Sequence, residues 1–312
     1  MMGSVTSAET QPEIAPGPEV VTGLLREQAP DLAGHPVRAV STAGSSNWVF
    51  RLGDELAVRL PRDDRYTPAL LNEVRWLPHL VGRVPVPVPA VVAVGDPSDH
   101  FPRPWTVVSW VNGELPGDLN QAQQARLAVS LGGFLRSMRE IDTHGAPAGA
   151  AHWGYRCGEP VTDTIDEWAD VAARELVDLF DPAGIREAWR RLREVPPATG
   201  PACLVHTDVS SENLLVHPDG RLAGMIDFGG MGVGDRSVDL LYAWSMLDAP
   251  AREEFRLATD ADPATWTRAR AWAFVGPGLL TLADYRGSMP ARTERLTRMV
   301  EAVASDVGVR LR

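Results

Sequence analysis

Residues 203–228 read CLVHTDVSSENLLVHPDGRLAGMIDF. The apolar triplet Cys203-Leu204-Val205 runs into His206-Thr207-Asp208, and Asn213 stands five residues beyond Asp208. A second apolar run then meets Pro218-Asp219-Gly220, and a third run ends at Asp227-Phe228. Pro, Asp and Gly together signal a tight turn between two strands, and that hairpin folds Asp227 back beside Asn213. A carboxylate and an amide oxygen then face one point, with Asp208 just upstream. Hard oxygen donors of this kind suit Mg2+, which takes few protein ligands and fills its shell with water and phosphate oxygens. Asp208 is left to accept a proton from an attacking hydroxyl.

The order His-x-Asp-x4-Asn followed by Asp227-Phe228-Gly229 resembles the protein-kinase catalytic set. It resembles more closely the aminoglycoside phosphotransferase family of kinase-like antibiotic kinases, in which a small residue usually replaces the Arg of His-Arg-Asp. Thr207 occupies that place here. The stretch from Gly232 to Leu240, GVGDRSVDL, is similar to a characteristic sequence of that family, and the resemblance implies that Asp235 and Asp239 brace the catalytic loop. His206 reads as a buried orienting histidine. The resemblance spans roughly Val37 to Leu247 and implies an α+β, protein-kinase-like two-lobe fold, with a five-stranded antiparallel N-lobe and a mostly helical C-lobe.

Patterning along the chain agrees. Val37–Thr42, Trp48–Leu52 and Leu56–Leu60 are short β-type runs, the last two joined at Gly53-Asp54. Leu70, Val74 and Leu77 recur at helical spacing between Pro68 and Pro78. Pro85, Pro87 and Pro89 forbid a central strand, after which Val91–Val94 and Trp105–Val111 complete five strands. A short helix, Glu19–Gln28, precedes them. The second half reads as helices at Gln121–Ile141, Thr162–Phe180 and Ile185–Arg193, a β segment at Ala202–Phe228, and three or four helices from Ser237 to about Val307. The expected organisation is a disordered start (1–15), an N-lobe (16–111) and a C-lobe (112–312), the last with a helical insert at about 150–195.

The sheet lobe should hold the nucleotide, ATP or GTP in its place, with Mg2+. Between the first two strands lies Ala43-Gly44-Ser45-Ser46-Asn47, where backbone N–H groups and the hydroxyls of Ser45 and Ser46 can meet phosphate oxygens. Kinases grip the α- and β-phosphates with a Lys on the third strand, paired to a Glu of the next helix. Arg59 stands at that place with Glu73 downstream, and Arg62 is a second candidate. A guanidinium fork can bridge carboxylate and phosphate together. The resemblance further implies that Ser109 C=O and Val111 N–H pair with adenine, and that the helical insert walls the acceptor. Asp163, Asp166, Glu167 and Asp170 recur there at three- and four-residue intervals, close to one helix face.

Composition narrows the classes. All 30 cations are arginine, because the 312 residues contain no lysine. A Walker-A loop and a Schiff-base mechanism both need that lysine, so neither operates. The formal charge of −11 opposes nucleic-acid binding and favours a cationic acceptor. Two cysteines, Cys157 and Cys203, are too few for a disulfide framework or a structural zinc site. No run reaches the 18 or so apolar residues of a membrane span, and the start lacks a signal-peptide pattern. A cytoplasmic enzyme, with no membrane and no obligate protein partner, is expected. The leading function is ATP-dependent phosphorylation of a hydroxyl on an aminoglycoside-like antibiotic, giving resistance or self-protection. A kinase of a primary metabolite (choline, a sugar or a hydroxyamino acid) and a nucleotide-binding pseudokinase are the alternatives.

Overall fold

The structure is a computed structural model and describes residues 15–40, 46–146, 148, 160–198 and 200–312. The expected disordered start, Ser45 with the rest of segment 41–45, and Cys157 lie outside the described residues. The chain divides into two compact units, Met1–Pro78 with Pro89–Trp110, and His79–Val88 with Val111–Arg312.

The first unit contains α1 (Pro18–Gln28), β1 (Val37–Ala39), β2 (Asn47–Leu52), β3 (Leu56–Pro61), most of α2 (Thr67–Leu80), β4 (Val91–Gly95) and β5 (Trp105–Ser109). Its five strands lie in the order β1-β2-β3-β5-β4, antiparallel throughout. Phe50 and Leu52 of β2, Val58 and Leu60 of β3, and Trp105 and Val107 of β5 alternate onto one face. That apolar face meets Val21, Leu24 and Leu25 of α1, the arrangement that period-2 strands and a period-3.6 helix require to share a core. Gly53 opens the β2–β3 turn at φ 62°, where a side chain would be strained. Helix α2 runs two residues past the stop expected at Pro78. A proline inside a helix removes one backbone bond and crowds the carbonyl four residues back, and α2 ends within two residues of it.

The second unit is helical around two small ribbons. Helix α3 (Gln121–Arg139) starts with a capping box between Asn120 and Gln123. Next come α4 (Asp163–Glu175), α5 (Pro182–Leu192), β6 (Cys203–Val205), β7 (Leu214–Val216), β8 (Leu222–Met225) and β9 (Gly232–Gly234). Helices α6 (Ala243–Met246), α7 (Ala249–Ala258), α8 (Pro263–Ala273), α9 (Leu282–Tyr285) and α10 (Pro290–Asp306) complete it, with a π-helical stretch at Phe274–Thr281 between α8 and α9. Strands β7 and β8 form the anticipated hairpin, Leu214 opposite Met225. Strand β9, which pairs with β6 through Cys203 and Gly234, was not expected, since Gly-Val-Gly offers one apolar side chain and no alternation.

Candidate active site

The chain leaves β6 at Val205 and must turn at once. Asp239 imposes the turn: its Oδ2 accepts the His206 N–H at 3.0 Å and its Oδ1 the Thr207 N–H at 2.7 Å. Burial pushes Asp239 up to about 7, while these two donors pull it the other way. Thr207 is held at φ 74°, a left-handed conformation unusual for a β-branched residue, and its hydroxyl donates to Gly230 O at 3.1 Å. Asp235 caps the turn at 236–240 and pairs with the buried Arg268 at 3.0 Å. Both acids are thus structural braces of the loop.

His206 is fully buried against the edge of Phe228, ring centroids 4.6 Å apart. The Asp208 N–H donates to Nδ1 at 3.3 Å, so the imidazole proton resides on Nε2, which donates to Ile226 O at 3.2 Å. Burial drives its pKa down to about 4, leaving a neutral ring. It therefore links the two segments that carry Asp208 and Asp227.

Asp208 is half-buried, and its Oδ2 accepts Nδ2 of Asn213 at 2.9 Å. The same Nδ2 donates to the Asp208 carbonyl at 2.9 Å, so the Asn213 Oδ1 faces away from this bond as a hard oxygen donor. Burial, then the negative charges of Asp227 and Glu212, raise the Asp208 carboxyl to about 6, with Asn213 and Arg292 opposing. The Asp227 influence on both Asp208 and His206 shows how close the hairpin brings it. Ile226 N–H donates to Asn213 O at 3.0 Å, extending the β7–β8 ribbon by one rung, and Asp227 then leaves it at φ 62°. Two non-glycine residues in left-handed conformations, Thr207 and Asp227, thus flank the site, as strained backbone often does.

In the first unit, Arg59 of β3 pairs with Glu73 of α2, and both side chains are largely buried. Arg62 is instead turned to the backbone, its Nε donating to Asn47 O at 3.3 Å. Ser46 accepts Asn47 Nδ2 on its Oγ at 3.2 Å. Ser109 ends β5, with its N–H donating to Ala90 O and its Oγ accepting Ala90 N–H, both at 2.8 Å. Val111 belongs to the second unit, packed with Leu215 and Ala223.

Of the four α4 acids expected to wall the acceptor, two are held in ion pairs. Asp166 accepts Trp189 Nε1 at 2.8 Å and two bonds from Arg193, and Asp170 pairs with Arg174 and, at 2.6 Å, with Arg186 Nε. Arg186 of α5, Arg193 just beyond its C-terminus and Arg174 of α4 itself neutralise them. Asp163 and Glu167 are exposed.

Next to Asp208 lies a small recess, partly open to solvent and lined among others by Glu212, Tyr242, Thr281, Arg292 and Arg295. Apart from Asp208, none of these was anticipated. Glu212 could have been, as the neighbour of Asn213 in the loop; the arginines, on a helix some 80 residues onward, carry no local motif.

The model of the phosphotransferase enzyme family matches residues 37–272. An aminoglycoside 3'-phosphotransferase from Escherichia coli is 26% identical over 192 residues, 59% of this chain and 66% of the relative, just under two thirds of its length. Two further relatives are matched over 23% of theirs. Among solved structures, the GDP and kanamycin complex of an aminoglycoside 2''-phosphotransferase superposes with a TM-score of 0.67 at 18% identity, covering 92% of this chain and 98% of that one. A macrolide 2'-phosphotransferase from Brachybacterium faecium gives 0.58 at 18% identity, covering 91% and 97%. These likenesses establish the kinase-like α+β fold. With its matched span exceeding half of the sequence, the chain belongs to the phosphotransferase enzyme family.

Proposed function

We propose that the protein transfers the γ-phosphoryl group of ATP to a hydroxyl of an aminoglycoside-like, sugar-bearing antibiotic, acting in the cytoplasm for resistance or self-protection. The carrying observation is Asp208: a carboxylate oriented by Asn213, raised to about 6 and lining a recess open to solvent. Near neutral pH it is ionised yet basic enough to take a proton from a hydroxyl as that oxygen attacks phosphorus. The phosphorus–oxygen bond to ADP breaks as the new one forms, so the proton and the phosphoryl group are both accounted for.

Residues present fit a divalent cation. Asn213 Oδ1, freed by the two bonds of its Nδ2, and the Asp227 carboxylate would hold Mg2+, which when bound neutralises phosphate charge. Arg59, paired with Glu73, is proposed to grip the α- and β-phosphates. Ser46 and the segment containing Ser45 would bind phosphate oxygens, and Ser109 and Val111 the adenine. The names of the relatives supply the acceptor class: they are aminoglycoside and macrolide phosphotransferases. Among the described residues no helix is long and apolar enough to cross a membrane.

The test is ADP release from Mg2+-ATP across a panel of hydroxylated antibiotics, with mass spectrometry of the products. A mass gain of one phosphate on an antibiotic, absent in Asp208→Asn, supports the reading. Phosphorylation confined to choline, sugars or hydroxyamino acids would replace it with the metabolic alternative.

A further inference from the structure

The sheet of the first unit carries a residue pair that bears on the nucleotide base, and its meaning rests on the kinase reading above. Phe50, Leu52, Val58, Leu60, Trp105 and Val107 bury one face of that sheet with α1. Alternation gives the opposite face to Val49 and Arg51 of β2, Ala57 and Arg59 of β3, and Thr106 and Val108 of β5. Arg59, the proposed phosphate grip, lies in the row Val49–Arg59–Thr106, and Arg51 in the next row, Arg51–Ala57–Val108. The two rows are about 7 Å apart, two residues at the rise of a strand.

Trp110 follows β5 directly, and the guanidinium of Arg51 lies over its indole, 4.0 Å from the ring centroid. The same guanidinium donates through Nη2 to Asp54 O at 2.5 Å, which fixes the cation to the β2–β3 turn. Trp110 N–H donates to Glu55 O at 2.7 Å. The tryptophan is thus held to one short segment, residues 51–55, by its ring and by its main chain.

That double hold sets the direction of the neighbouring backbone. The bond from Trp110 to Glu55 makes Leu56 and Ser109 a pair that exchanges no hydrogen bond in the antiparallel ladder. Ser109 therefore points its N–H and C=O away from β3, and its N–H meets Ala90 O. Its C=O is one of the two groups proposed to pair with adenine, and Val111 N–H is the other. Trp110 is the joint between them, and a guanidinium stacked on its ring resists rotation of that joint.

We propose that Arg51 is a positioning residue for the nucleobase: by stacking on Trp110 it fixes the peptide groups on either side of that residue in the orientation that receives a purine edge. It acts through Trp110, and the charge it places over the indole is the working feature.

Calorimetry of Mg2+-ADP binding to the full chain tests the proposal. Arg51→Ala should weaken ADP about three- to tenfold, the range of one cation–π contact. Arg51→Lys keeps a cation over the indole and should restore most of the loss, whereas Arg51→Met keeps the length without the charge and should not. Trp110→Leu should weaken ADP as well, and the double variant with Arg51→Ala should bind no worse than the weaker of the two single ones, because both remove the same contact. Unchanged affinity in Arg51→Ala, equal affinities of the Lys and Met variants, or losses that add in the double variant overturn the inference alone. A wild type that does not bind Mg2+-ADP overturns it together with the kinase reading. Since binding is read apart from turnover, a wild type that binds ADP but phosphorylates no acceptor counts against the kinase reading only.

Discussion

The Nδ2 of Asn213 donates to Oδ2 of Asp208 at 2.9 Å. This bond aims the carboxylate and leaves the amide oxygen for the proposed cation, so one side chain would serve both halves of the proposed chemistry. Asp208→Asn should therefore fold and bind nucleotide as wild type does, yet lose on the order of a hundredfold or more in kcat. Single-turnover phosphoryl transfer checks it; wild-type rates would remove Asp208 from the mechanism.

Acid should inhibit through the same group. The Asp208 carboxyl is raised to about 6, chiefly by burial and then by the charges of Asp227 and Glu212, and only its ionised form accepts a proton. The profile of kcat/KM against pH should fall below about pH 6. In Glu212→Gln the fall should move to lower pH, since a like charge is gone and Arg292 is released from its partner. A limb that stays in place argues that another group titrates.

Arg59→Ala should raise the KM for ATP with a smaller effect on the acceptor KM, and Arg59→Lys should restore part of it. Glu73→Gln should do likewise more mildly, because Arg59 loses its ion-pair partner. Steady-state kinetics in both substrates separates these outcomes from a substrate-side role.

Asp166→Asn removes the acceptor for Trp189 and Arg193 that ties α4 to α5. The melting temperature should drop by a few degrees, as for loss of about 1 kcal/mol in a protein of this size, with kcat/KM changed less than about twofold. Thermal denaturation and kinetics together decide; a large acceptor effect would return Asp166 to the acceptor wall.

His206 gives a stability prediction with a definite sign. Its folded pKa is depressed to about 4 by burial, whereas an unfolded histidine titrates near 6.5. The unfolded state takes up the proton first, so the His206 contribution is complete above about pH 6.5 and is lost as pH falls toward 4. The urea midpoint of His206→Asn should lie well below wild type at pH 7.5, with a narrower gap at pH 5. A gap independent of pH would mean that the ring is not neutral in the folded state.

Much of this could be read from the residues, for reasons that are physical. The hairpin that brings Ile226 back beside Asn213 follows from a turn signal and two apolar runs, and Arg59 with Glu73 from a strand followed by a helix at fixed spacing. What stayed hidden depends on partners far apart in sequence. The capture of Asp166 by Arg193, of Asp170 by Arg186, and of Glu212 by Arg292 and Arg295 each joins separate elements. The periodic acids of α4 were visible; the arginines answering them from α5 could be placed only by the fold. Strand β9 escaped because glycines carry no side-chain pattern.

The left-handed threonine at position 207 sets two kinds of selection against each other. A β-branched residue at φ 74° costs the folded chain on the order of 1–2 kcal/mol that Asn would largely recover. A library screened for surviving heat should accumulate Asn at that position. One screened for turnover should retain Thr, whose hydroxyl ties the loop to Gly230. Position 207 is thus a place where the evolutionary record of a lineage would show whether endurance or catalysis had been the harder demand.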